Sequence, residues 1–118
     1  MSMGGCMEAD RSTCERILAM VPQQQPFRFI DEILELDAAH IVGAYRFRGD
    51  ADFYRGHFPG LPITPGVILI ETMAQTGVVA YGLYLSMLAG KRIDTDETVN
   101  LFTLAENVEF KGVVLPGE

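Results

Sequence analysis

The stretch TPGVILIETMAQTGVVAYGLYLSMLAG, residues 64–90, decides the architecture. Thr64 is a good helix N-cap, and Pro65 suits the first helical position, where its fixed φ helps and its missing N–H costs nothing. Gly90 reads as the C-terminal stop, and Lys91 and Arg92 after it suit the negative helix end. The pattern predicts one helix of about 25 residues, about 37 Å long. It is apolar nearly all round, so it is expected to be buried on most sides. A membrane span is the obvious rival. Glu71 and Gln75 inside the run stand against it, because a carboxylate at mid-membrane costs about 2.5–3.5 kcal/mol on insertion scales. No membrane span is expected.

Upstream of that helix, residues 49–64 are rich in Gly, Pro and Asp and form a long irregular loop, a kind that is usually functional. Before it, FRFIDEILEL (27–36) and HIVGAYRFR (40–48) read as a β-hairpin around the turn Asp37-Ala38-Ala39. The apolar residues of 27–36 fall out of strict alternation, so a short helix competes there. Residues 11–21 suit a helix capped by Ser12 or Thr13 and stopped by Pro22. Downstream, IDTDET (93–98) reads as an acidic loop and VNLFTLAENVEF (99–110) as a third strand. Residues 1–10 read as a flexible leader without the apolar core of a signal peptide.

The chain has 118 residues, enough for one domain, taken as 11–118. Hydrophobic residues make up 48%, which allows a real core and excludes native disorder. A net charge of −7 with scattered cations excludes nucleic acid as a partner. Cys6 and Cys14 have no ligand-like spacing around them, so both are read as reduced thiols of a cytoplasmic protein, with no metal site.

Two ionisable residues stand in unusual settings. His57 lies in the stiff loop Gly56-His57-Phe58-Pro59-Gly60, and Glu71 lies inside the apolar helix. A buried carboxyl group must find a partner or hold its proton to higher pH. A carboxylic acid and a neutral imidazole together suit the loss or addition of water β to a carbonyl. Gln75 follows Glu71 by four residues and shares its helix face, where it can donate a hydrogen bond and orient the carboxyl group. The Gly66 and Val67 amides at the helix start have no intrahelical acceptor and can bind an oxygen carrying partial negative charge. On their own, a loop histidine and a helix glutamate are more often structural than catalytic.

The run GHFPGLPITPGVILIETMAQ (56–75) closely resembles the signature of the 3-hydroxyacyl-[acyl carrier protein] dehydratase family, in the branch with Glu on the helix. The resemblance extends to PFRFID (26–31), AENVEF (105–110) and VLPG (114–117). It implies an α+β hot-dog fold, a curved antiparallel sheet wrapped around one long helix. It implies that His57 takes the C2 proton, Glu71 protonates the departing 3-hydroxyl, and the Gly66 amide holds the thioester oxygen. Val67 and Phe58 are then substrate-binding and Gln75 supporting. It further implies no metal or organic cofactor, an acyl carrier protein-linked substrate, and a homodimer or trimer of dimers in which His57 faces Glu71 of its mate.

This sequence departs from the family at Gln23, Gln24 and Gln25, where a basic or aromatic residue usually precedes the Pro-Phe pair. Family members also continue past the Pro-Gly pair, so the chain reads as cut short at its C-terminus. Arg46, Arg48, Arg55, Lys91 and Arg92 are the candidates for carrier-protein docking, although solvated surface charge is the commoner role for such residues. The alternatives are a non-catalytic hot-dog interaction subunit, or another hot-dog thioester enzyme such as a hydratase or thioesterase.

Overall fold

A computed structural model of the chain describes residues 9–90 and 105–118. The expected acidic loop, the first half of the expected third strand, Lys91, Arg92, Cys6 and most of the expected leader lie outside the described residues. The elements are α1 (Arg11–Met20), β1 (Glu32–Leu36), β2 (Ile41–Ala44), a 3-10 turn (Asp52–Arg55) and a long helix α2 (Gly66–Leu88).

The N-terminal cap differs from expectation. Asp10, not Ser12 or Thr13, caps α1, its carboxylate accepting the Thr13 amide at 2.7 Å. A carboxylate there also sits at the positive end of the helix dipole. The Ala9 amide donates to the Leu36 carbonyl at 2.7 Å, so residues 9 and 10 belong to the fold and not to a leader.

The hairpin is shorter than predicted, and a bulge explains its confusing pattern. β1 and β2 pair antiparallel, with Ile33 opposite Gly43 and Glu35 opposite Val42. Leu34 is the extra residue, exposed, and it shifts the phase of the strand. Ile33 and Leu36 therefore both face the core although they are three apart, a spacing that imitates a helix. Among the described residues the sheet has only these two strands. Residues 105–110, the described half of the expected third strand, form no regular strand. The tail attaches further on, through Thr64 N–H to Val114 O (2.9 Å) and the exchange between Phe47 and residues 117 and 118.

Two apolar clusters hold these pieces. In one, Cys14, Ile17 and Val21 of the α1 region meet Ile30, Ile33 and Leu36, and α2 closes over them with Val79, Ala80 and Tyr84. In the other, Phe29, Phe47 and Tyr54 gather Ile68, Leu69 and Val114 around them. β2 and α2 approach closely: a Cβ on Gly43 would stand 2.8 Å from the Thr76 hydroxyl.

α2 is not buried on most sides. Thr64 is not its cap either, since Pro65 holds that position without a side-chain bond. One side of α2 packs on α1 and the hairpin, while Val67, Met73, Val78, Leu85 and Leu88 remain exposed. Two strands are too narrow to cover a helix that is apolar all round. The helix is long and apolar enough to cross a membrane by length and composition. Between Gln75 and Ala80 it widens into a π-helical segment, and this segment contributes the buried Gln75, Val79 and Ala80.

The hairpin turn carries a charge cluster. Asp37 accepts the amides of Ala39 and His40, and the His40 ring lies 2.9 Å from both Asp37 and Glu35. Both ring nitrogens face carboxylates, so the imidazolium satisfies both bonds and the neutral ring only one. The bond to Glu35, then that to Asp37, holds His40 above its ordinary value of 6.5. Its contribution to stability is therefore full below that value and lost as pH rises through the folded one. The Ala39 amide chiefly holds Asp37 below 3.8, so that contribution is lost as pH falls through its folded value. The turn is tightest between those limits. His40→Gln is expected to lower the melting temperature at about pH 5.5 and to have almost no effect at about pH 8.5, a small difference because the cluster is exposed. An equal effect at both pH values would exclude this account.

Candidate active site

The His57 loop folds back on itself. Phe58 and Leu61 exchange backbone bonds at 2.9 and 2.8 Å, and Gly60 makes the turn at φ +75°, a conformation open to glycine. The Ile63 amide donates to the His57 carbonyl at 2.9 Å. In return the His57 ring nitrogen Nδ1 lies 2.9 Å from the Ile63 carbonyl. A carbonyl oxygen only accepts, so Nδ1 carries the proton. In the neutral ring the lone pair then sits on Nε2, the nitrogen that is left to take a proton. The Phe58 ring stacks on the imidazole with centroids 4.2 Å apart and is itself half exposed.

Glu71 has found its partner. Gln75 Nε2 donates to Glu71 Oε2 at 2.9 Å. Gln75 is completely buried, and each of its polar atoms is used: Oε1 accepts the Phe29 amide at 2.7 Å, and Nε2 also donates to the Phe27 carbonyl at 2.9 Å. The two backbone groups dictate which end of the amide is which, so a donor must point at Glu71. With Oε2 accepting that bond, a proton on the carboxyl group resides on Oε1. Glu71 is only partly buried, and among the described residues no hydrogen bond engages its Oε1.

The start of α2 offers two amides. Ile68 and Leu69 N–H both donate to the Pro65 carbonyl, at 3.0 and 3.2 Å, which leaves those of Gly66 and Val67 without an intrahelical acceptor. Val67 is well exposed. The Phe110 ring lies against Gly66 so closely that a Cβ there would come within 2.7 Å of it. Gly66 thus seats Phe110, a close approach that any larger residue would block.

Within one chain His57 and Glu71 are bonded to different partners, Ile63 and Gln75, and not to each other. Of the expected docking cations, Arg48 is engaged by Asp31 (3.1 Å) and by the Tyr45 hydroxyl (2.9 Å), and Arg55 by Asp52 (2.7 Å). Arg46 is exposed. Among the described residues no group of three or more His, Cys, Asp or Glu is arranged to hold a metal ion. Sequence reasoning missed Phe110 and the buried hydroxyl pair Tyr54–Thr64. Neither has a local signal, because each depends on where distant segments meet.

The model of the FabA-like domain matches residues 21–118. The chain is 39% identical over 105 residues to a 3-hydroxyacyl-[acyl-carrier-protein] dehydratase of Chloroflexus aggregans, covering 88% of this chain and 67% of that protein. It is 36% identical over 107 residues to the dehydratase of the same description in Lawsonia intracellularis, covering 88% of this chain and 65% of the relative. The chain thus spans about two thirds of the length of these curated relatives. It also resembles part of a bifunctional enzyme of Bacteroides thetaiotaomicron, 33% identical over 87% of this chain and 21% of that protein.

Proposed function

This chain belongs to the FabA-like domain family, and from that premise we propose that it removes water from a 3-hydroxyacyl thioester carried on acyl carrier protein, in fatty acid or related lipid synthesis. Its fold is the α+β hot-dog fold of that family. The observation that carries the reading is the fixed His57 ring, whose Nδ1 proton is spent on Ile63 so that Nε2 is basic.

The steps follow from the groups present. His57 Nε2 removes the C2 proton of the substrate. Negative charge moves to the thioester oxygen, which the Gly66 and Val67 amides receive. Glu71 Oε1 gives its proton to the 3-hydroxyl, the C3–O bond breaks, and water and the trans-2-enoyl thioester leave. The proton on His57 returns to Glu71 through solvent and completes the cycle. Every step is a proton transfer or a bond cleavage without change of redox state, so no metal or organic cofactor is called for. Gln75 supports Glu71, and Phe58 and Val67 border the acyl chain.

The working unit on this reading is a homodimer, alone or as a trimer of dimers, with His57 of one copy opposite Glu71 of the other. Two observations support it: His57 and Glu71 are not bonded within a chain, and α2 presents an uncovered apolar side. A second copy seated on that side makes α2 a core helix, which accords with a cytoplasmic protein and no membrane span. The test is incubation with 3-hydroxyacyl carrier protein, with enoyl formation followed by mass spectrometry. Loss of one water supports the proposal. Release of free acid, or an unchanged substrate, overturns it.

A further inference from the structure

Tyr54 and Thr64 are both almost fully buried, and their hydroxyls are bonded to each other. They stand at the base of the loop that carries the site. Tyr54 lies in the 3-10 turn, and the His57 amide that follows that turn donates to Phe53 O at 3.1 Å. Thr64 lies two residues before Gly66, and its amide is held by Val114 O at 2.9 Å. The proton-accepting ring thus leaves one end of the bonded pair and the oxygen-binding amides leave the other.

The geometry points to the Tyr54–Thr64 hydroxyl bond as a positioning device that fixes His57 relative to the Gly66 amide, an inference that rests on the dehydratase reading for its kinetic consequence. Packing alone does not call for it. Tyr54 sits among Phe29, Phe47, Ile68 and Leu69, where a phenylalanine would fill the same space. An apolar pair permits the two ends of the loop to slide; a directional bond sets their separation. Neither side chain is exposed to a ligand, so both act through the residues that follow them. The paired backbone and ring bonds between His57 and Ile63 close the loop higher up, and their geometry depends on the base being held.

The chemistry of buried hydroxyls supplies a clean test. Tyr54→Phe or Thr64→Val leaves one buried hydroxyl unsatisfied, whereas the double substitution removes both and is nearly neutral for stability. The full chain in its native assembly is compared as wild type, two single variants and the double variant. Thermal melting of the double variant is expected to return close to wild type while its kcat stays about tenfold low, with KM little changed. In NMR spectra the slowly exchanging Nδ1 proton of His57 is expected in the wild type and broadened or lost in the double variant. Recovery of kcat together with stability in the double variant, or an unaltered Nδ1 proton signal, overturns the inference. If the wild type makes no enoyl product, the dehydratase reading falls, and the NMR comparison alone decides the positioning role.

Discussion

His57→Ala and Glu71→Gln are each expected to reduce dehydration by about 10²–10⁴-fold without loss of fold. The first removes the only group in the loop whose free lone pair is aimed by a bond to Ile63. The second keeps the shape of Glu71 but leaves no proton to deliver to the departing hydroxyl. A mixture of the two inactive variants discriminates further. If the pair works across a dimer, each heterodimer has one site with both residues mutated and one with both intact. Random reassortment then restores roughly one quarter of wild-type turnover, because half the dimers are mixed and each has one good site of two. If the pair works within a chain, mixing restores nothing. Enoyl formation in the mixed sample, after dissociation and reassembly, is the measurement.

Gln75→Leu is expected to destabilise the chain by about 2–4 kcal/mol, since it strands the Phe29 amide and the Phe27 carbonyl together. Leucine fills nearly the same volume, so a cavity contributes little. The same change frees Glu71 Oε2, and kcat should fall even in molecules that remain folded. Urea unfolding measures the first effect as a lower midpoint at constant slope. A midpoint within error of wild type would mean that Gln75 does not bear this load. On the proposed reading Gln75 thereby links stability and catalysis: the residue that joins α2 to the segment before β1 also holds the Glu71 carboxyl group.

What the sequence revealed follows the range of the interactions. The relation of Gln75 to Glu71 was legible because four residues is one helical turn. The end of α2 near Gly90 was legible for the same local reason, while Thr64 misled because its hydroxyl is taken by Tyr54, ten residues away. The strand at 27–36 resisted reading because the bulge at Leu34 replaces a spacing of two by one of three. The anchoring of Gln75 to residues 46 and 48 positions away leaves no trace in any local window. The same holds for Phe110 against Gly66. The motif around His57 singled out this ring, but only the fold fixes which of its nitrogens carries the proton.

The widened turn at Gln75–Ala80 acts as a joint between two rods. Glu71 belongs to the rod before it, and the contacts of Tyr84 with α1 belong to the rod after it. One extra residue in an ordinary helix swings everything beyond it by about 100°, so the joint sets the azimuth at which the first rod presents its acid. Trimming the bulge by one residue would keep the helix continuous yet turn one rod against the other. Either the acid would swing away from its neighbour or the core would lose its seat, and the two could not both be kept.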